Sequence, residues 1–176
     1  MKKARIYLDK INWNNYRKVI KLRVNKDQRY FVASNEASLI HAFIEMSCGT
    51  PVYAFAIMNG KTVVGFIQIM YSKDWSGYER EDWLNSDDFK KHNGKPVYYI
   101  WRFMIDKKFQ GQGFGKEALR LAIEFIKTFP AGKSEGCWLS YEPENEGARN
   151  LYRKAGFEER LDLHKEDMEI PAVLKL

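Results

Sequence analysis

Apolar positions along this chain change period several times, and each change marks a new element. Ile6 and Leu8 alternate with Arg5, Tyr7 and Asp9, the period of a half-buried strand over 4–9. Asn12 offers an N-cap for a helix over 13–22. A second helix over 36–46 carries Leu39, Ala42, Phe43 and Met46 on one face and stops before Gly49 and Pro51. Two β-rich runs, 52–58 and 62–71, flank Asn59-Gly60, a strong hairpin signal. The stretch 72–95 is polar, charged and aromatic without a period, and connections that long are often functional. A buried-type strand follows over 97–105. Then comes a helix over 113–128 with Leu119, Ala122, Ile123 and Ile126 on one face, stopped by Pro130 and Gly132. A strand over 137–141 leads to a helix over 145–155 closed by Gly156. The tail, 158–163 and 168–176, reads as a last hairpin. Hairpins in the first half and crossover helices in the second predict a mixed α/β sheet in one domain, 1–176.

Composition sharpens this only slightly. The 176 residues are 45% hydrophobic and 15% aromatic, enough for a real core. No apolar run approaches the roughly 18 residues of a membrane span, and the N-terminus lacks an apolar leader core. Two distant cysteines, Cys48 and Cys137, fit reduced thiols in a cytoplasmic protein, with no metal-type spacing and no metal expected. The net charge of +6 is not gathered into a block; the densest basic stretch, 17–29, is interleaved at helical spacing. No nucleic acid and no membrane partner is therefore expected, while a homodimer stays open. His41, His92 and His164 fall in no usable spacing.

Chemistry enters at QGQGFGK, 110–116, between the strand and the helix. A helix start leaves N–H groups unpaired with partial positive charge, and glycines let an oxyanion approach them. A P-loop reading fails, because Gly115-Lys116 is followed by Glu117 and preceded at the required distance by Gln110. A dinucleotide fingerprint on Gly113, Gly115 and Ala118, with Glu142 as ribose acid, fails because the first glycine should follow the strand directly and Asp106-Lys107-Lys108-Phe109-Gln110 intervenes. The third reading is Q-x-x-G-x-G on Gln110, Gly113 and Gly115. With it, WRFMIDKKFQGQGFGKEAL and, further on, WLSYEPENEGARNLYRKAGF resemble two consecutive blocks of the GNAT superfamily of acetyl-coenzyme A-dependent N-acetyltransferases. Together they span 97–157.

The resemblance implies a GNAT fold: a central, mostly antiparallel mixed sheet of about seven strands flanked by four helices. It implies acetyl-CoA as cosubstrate. The pyrophosphate would sit on main-chain N–H groups of Gln110, Gly111, Gln112, Gly113, Phe114, Gly115 and Lys116. The pantetheine arm would pair like a strand with Phe103, Met104 and Ile105, whose N–H groups would also polarise the thioester carbonyl. Tyr152 matches the family's tyrosine, a general acid for the leaving thiolate. Asn145 matches the asparagine that opens the following helix, and either bonds the arm, caps the helix or does both. The carboxylate that several relatives carry on their fourth strand is missing here, where Ile100-Trp101-Arg102 stands. Glu142 is a candidate base, alongside a plain loop role for it and a water wire.

The acceptor is read from 74–88, where Asp74, Glu79, Glu81, Asp82, Asp87 and Asp88 face one arginine, Arg80. Trp75, Tyr78 and Trp83 interleave with them, a mixture that suits a cationic amine by ion pairing and cation–π contact, as it does a plain solvated loop. The overall look is similar to bacterial polyamine (spermine/spermidine) acetyltransferases. Other amine acceptors, and a non-catalytic acetyl-CoA-binding module, are the alternatives.

Overall fold

The computed structural model describes residues 6–72, 95–164, 166 and 168–176. The polar stretch 73–94, with Trp75, Tyr78, Glu79, Glu81, Asp82 and Asp87, lies outside the described residues. Among the described residues the chain order is β1 (Ile6–Lys10), α1 (Tyr16–Val19), α2 (Asn35–Ser47), β2 (Val52–Asn59), β3 (Thr62–Ser72), β4 (Val97–Ile105), α3 (Phe114–Lys127), β5 (Gly136–Tyr141), α4 (Glu146–Lys154), β6 (Glu158–Glu159) and β7 (Ile170–Lys175), with a 3-10 turn at Lys26–Gln28. The strands form one seven-stranded sheet in the order β1-β2-β3-β4-β5-β7-β6. Every pairing is antiparallel except β4 with β5. The mixed α/β architecture with four helices is the one the sequence predicts.

Apolar side chains cover both faces of the sheet, as a sheet buried between helices requires. On one face Phe55, Ile57, Ile67, Tyr98, Ile100 and Leu139 meet Leu119, Ala122 and Ile126 of α3 and Tyr152 of α4. On the other, Ala56, Met58, Phe66 and Met104 meet Val19, Leu22 and Leu39.

Three expectations need correction. The helix expected over 13–22 is only Tyr16–Val19, capped at Asn15 and not Asn12. The Asn12 side chain instead accepts from Asn14 N (2.8 Å) and that of Asn15 from Asn12 N (2.9 Å), local bonds that compete with the helix. Helix α2 has the expected extent and turns Leu39 and Ala42 inward as expected, but its inward face is rotated away from Phe43 and Met46. Ser34 caps it by accepting from Ala37 N (3.2 Å), and Asn35, Ser38 and Ala42 are buried. Asn35 earns its place by donating to Val19 O (2.8 Å) and Ser38 by donating to Ser34 O (2.9 Å), so small satisfied polar groups sit where apolar ones were expected. Phe43 and Met46 are left 71% and 57% exposed. Finally, the strand expected over 158–163 is only Glu158–Glu159. A turn closed by Leu163 N donating to Arg160 O (2.9 Å) ends it before Ile170–Lys175 returns.

Candidate functional site

The sheet opens between its two parallel strands. β4 and β5 pair only at Tyr98–Cys137 and Tyr99–Trp138, so from Ile100 to Ile105 strand β4 is laddered by β3 on one side only. Trp101 falls out of register there: Gln68 pairs with Arg102 and the next residue, Ile69, with Ile100. Such a bulge bends its strand and re-aims side chains. The wedge widens into a cleft of about 810 Å³ lined from the glycine loop to the end of β5 and the segment that enters β7.

Gln110 fixes the glycine loop to its surroundings. Its Nε2 donates to Ile105 O (3.0 Å) and Gln28 Oε1 (2.9 Å), and its Oε1 accepts from Asn25 Nδ2 (3.0 Å). Asp106, almost fully buried, holds the same corner by accepting from Arg23 N (2.8 Å) and Lys108 N (3.0 Å). The loop therefore has a built shape. Gly111 and Gly113 sit at φ +74° and +80°, a region that favours glycine, and a Cβ at either would meet nothing within 4 Å. Gly113 is the N-cap of α3 with no side-chain cap bond. Among the described residues, no protein acceptor takes the main-chain N–H groups of residues 111–116. The concavity is thus open, lined by unpaired donors at the positive end of a 14-residue helix, and it fits a phosphate-bearing group. Gln112 donates its side chain to Lys108 O (3.1 Å), and Lys116 is exposed at the rim.

Phe103, Met104 and Ile105 line the wedge next to this loop, on the stretch of β4 whose β5-facing edge is unladdered. Asn145 caps α4 by accepting from Ala148 N (3.1 Å) while also lining the cleft. Tyr152, about two turns further on, is buried between Tyr141 and Phe157, with ring centroids 5.7 and 5.9 Å away. Burial pushes its phenol pKa up, helped by Tyr99, Glu169 and Tyr141, so the group holds its proton at neutral pH. Glu142 is half-buried at the cleft mouth; burial first, then Glu169 and Glu144, raise its carboxyl pKa.

Several cleft residues were not singled out from sequence. Glu45 of α2 and Glu169 before β7 join Glu142 as carboxylates lining the cleft. Tyr99 and Ser140 face one another across β4 and β5, with 2.6 Å between their oxygens, and Ser140 Oγ in turn donates to Glu169 Oε2. Arg102 donates to Trp101 O (2.8 Å) and lies 4.9 Å from that ring's centre, while His41 of α2 stacks on the same indole at 5.9 Å. Tyr99 and Trp101, Ser140, and Glu169 come from three separate segments of the sequence, and the β4–β5 and β5–β7 pairings bring them together. Among the described residues, no cluster of three or more histidine, cysteine or acidic side chains has metal-site geometry, and no helix is long and apolar enough to cross a membrane.

Comparison with known proteins bears on this arrangement. The acetyltransferase (GNAT) family model matches residues 12–157. A probable spermine N(1)-acetyltransferase of Bacillus subtilis subsp. natto (strain BEST195) is 30% identical over 94 residues, which span 52% of this chain and 58% of that protein's length. Among solved structures, aminoglycoside acetyltransferase AAC(6′)-Ib in complex with coenzyme A superposes with a TM-score of 0.68 at 16% identity, covering 97% of this chain and 95% of the other. PaiA N-acetyltransferase from Thermoplasma acidophilum in complex with coenzyme A gives 0.63 at 12% identity, covering 98% and 99%. At these identities the two structures speak for the fold.

Proposed function

This chain belongs to the acetyltransferase (GNAT) family, and from that premise we propose that it moves an acetyl group from acetyl-CoA to a primary amine, a small cationic amine such as a polyamine. One observation carries the reading: a single cleft holds both a cradle of unpaired main-chain donors at 111–116 and the carboxylates of Glu45, Glu142 and Glu169. The first half suits a pyrophosphate, the second a multiply charged amine. Trp101, Tyr99 and Tyr30 line the same cleft and offer aromatic faces to a cation. The 30% identity over 94 residues to a probable spermine N(1)-acetyltransferase supports a polyamine over other amines.

The residues divide the work as follows. N–H groups of 111–116 take the phosphate oxygens, and the unladdered edge of β4 at Phe103, Met104 and Ile105 takes the amide-bearing arm as an added strand would. Acetyl-CoA, when bound, supplies an activated acyl group and a thiol leaving group. An alkylammonium with a pKa near 10.4 is uncharged in only about one molecule in 2,500 at pH 7, so the protein must take a proton from it. Tyr152, buried and protonated, stands ready to give a proton to the departing sulfur. Asn145 orients α4, and with it Tyr152, through its cap.

The test is a CoA-release assay over spermidine, spermine, putrescine, lysine, peptide N-termini and an aminoglycoside. Turnover on polyamines at least tenfold above the others is the expected result. Preference for the aminoglycoside would favour the second reading, suggested by the 0.68 superposition on AAC(6′)-Ib. Tight acetyl-CoA binding with no turnover on any amine would make the chain a binding module.

A further inference from the structure

Strand β4 carries no carboxylate: the stretch beside the wedge is Ile100-Trp101-Arg102, so the proton acceptor must come from elsewhere. The structure offers a directed chain of hydroxyls. Glu169, its carboxylate only able to accept, takes a hydrogen bond from Ser140 Oγ. Ser140 has one hydroxyl proton, and it is spent on that bond. In the 2.6 Å contact between Tyr99 and Ser140, Tyr99 must therefore be the donor. Both donors point the same way, from the inside of the wedge toward the exposed carboxylate.

We propose that Ser140 and Glu169 form the proton exit of the acceptor site, with Glu169 as the terminal base and Tyr99 as the residue that orients Ser140. The assignment rests on the acetyltransferase reading above. Ser140 oxygen accepts from Tyr99 with one lone pair and can accept an ammonium N–H with the other. The step balances as follows. The ammonium N–H bond breaks and its proton joins Ser140 Oγ, while the original Ser140 O–H bond breaks and that proton joins Glu169 Oε2. Nitrogen keeps the electron pair and becomes nucleophilic; the carboxylate becomes a carboxylic acid. Glu169 is exposed, so its proton passes on to water.

Placement supports the division of labour. Strand residues alternate between faces, so Ser140 points away from the face where its neighbours Leu139 and Tyr141 pack with Tyr152. The wedge between β4 and β5 thus has the proton acceptor on one side and the proton donor on the other. Amine and leaving thiol need opposite transfers, and two separated groups perform them without competing. Tyr99 suits a positioning role because burial lifts its phenol pKa to about 12, which keeps it a neutral donor. Glu142 shares the mouth but has no hydrogen bond to the hydroxyl chain among the described residues, so it adds charge and no route.

Glu169 acts electrostatically on Tyr99 of β4, Glu142 in the turn after β5 and Tyr152 of α4; Arg102 lies beside Tyr99, Glu144 beside Glu142, Glu45 of α2 lines the same cleft, and His164 bonds Met168 O in the loop before Glu169. A pH profile must be read against all of them, so the experiment compares variants at matched pH. Glu169→Gln and Ser140→Ala are each expected to lower kcat/KM for spermidine about 100-fold at pH 7. The deficit should shrink to within about threefold near pH 10, where much of the amine is already uncharged. Ser140→Thr, which keeps the hydroxyl, should restore most of the activity. Coenzyme A affinity by calorimetry should stay within twofold of the parent in every variant. Independently of turnover, adding spermidine to chain labelled with 13C-glutamate should move the Glu169 carboxyl resonance, and this shift should be lost in Ser140→Ala. A deficit equal at pH 7 and pH 10, full activity in Glu169→Gln, or a Glu169 resonance indifferent to spermidine overturns the proposal while leaving the acetyltransferase reading intact. An unmutated chain that acetylates no amine removes both.

Discussion

The two ends of the cleft are built from different materials. The cradle at 105–116 is main chain: N–H groups, two left-handed glycines and the start of α3, all within a dozen residues. The acceptor end is side chain: Tyr99, Ser140, Glu169, Glu142 and Tyr152, drawn from β4, β5, α4 and the segment entering β7. A main-chain site can hold a ligand common to a whole family while its side chains drift. A side-chain site can change acceptor with a few substitutions and no change of fold. The difference predicts that mutations at the cradle alter binding of the coenzyme, whereas mutations at the far end alter turnover and amine choice.

The largest effect should come from removing the proton donor. Tyr152→Phe is expected to cut kcat by about 100-fold or more, with coenzyme A affinity by calorimetry unchanged. Loss of affinity in parallel would blur the two ends. Next comes Gly65→Ala. An added Cβ would lie 2.5 Å from Met104 O and 2.7 Å from Ile105 Cδ1, behind the part of β4 that faces the wedge. Shifting that strand should cost about 2 kcal/mol and lower Tm by several degrees, with weaker coenzyme binding, as a melting scan with and without coenzyme A would show. Gly113→Val forces a β-branched residue to φ +80°, at about 1–2 kcal/mol, so coenzyme Kd should rise about tenfold while kcat at saturation holds.

The smallest effect concerns the frame of the acceptor end. Arg149 donates to both oxygens of Glu159 (2.9 and 3.1 Å), and Tyr141 OH donates to the same carboxylate (2.7 Å), tying α4 to β5 and β6. The Arg149 bond, then the Tyr141 bond, hold the Glu159 pKa below its ordinary value. A depressed carboxylate pKa stabilises the fold above the unfolded value of about 4.3, and the contribution is lost as pH falls through the folded pKa. Arg149→Met should therefore lower the chemical-denaturation midpoint at pH 7 and change it much less at pH 3, where Glu159 loses its charge.

This contrast also explains what could be read from the sequence. Strand, glycine bend and helix are contiguous, so QGQGFGK and the surrounding periodicity expose the cradle directly, and Asn145 and Tyr152 follow in one short motif. The hairpin at Asn59-Gly60 and the order of elements along the chain were legible for the same reason. Ser140 and Glu169 were not, because each is an ordinary residue for its strand or loop until β4, β5 and β7 are laid side by side. The inward face of α2 was misread because its buried positions, Asn35 and Ser38, are polar groups satisfied by local bonds, and hydrophobic spacing alone points to Phe43 and Met46. The short α1 was misread because asparagine side chains bond their own main chain over 12–15.

A crystal structure of this chain with coenzyme A tests the central division most directly. Pyrophosphate oxygens within about 2.7–3.2 Å of main-chain nitrogens of residues 111–116, with the pantetheine arm along β4 beside Phe103 to Ile105 and its sulfur toward Tyr152, is the result expected. A coenzyme held by side chains elsewhere, with the glycine loop untouched, would contradict it.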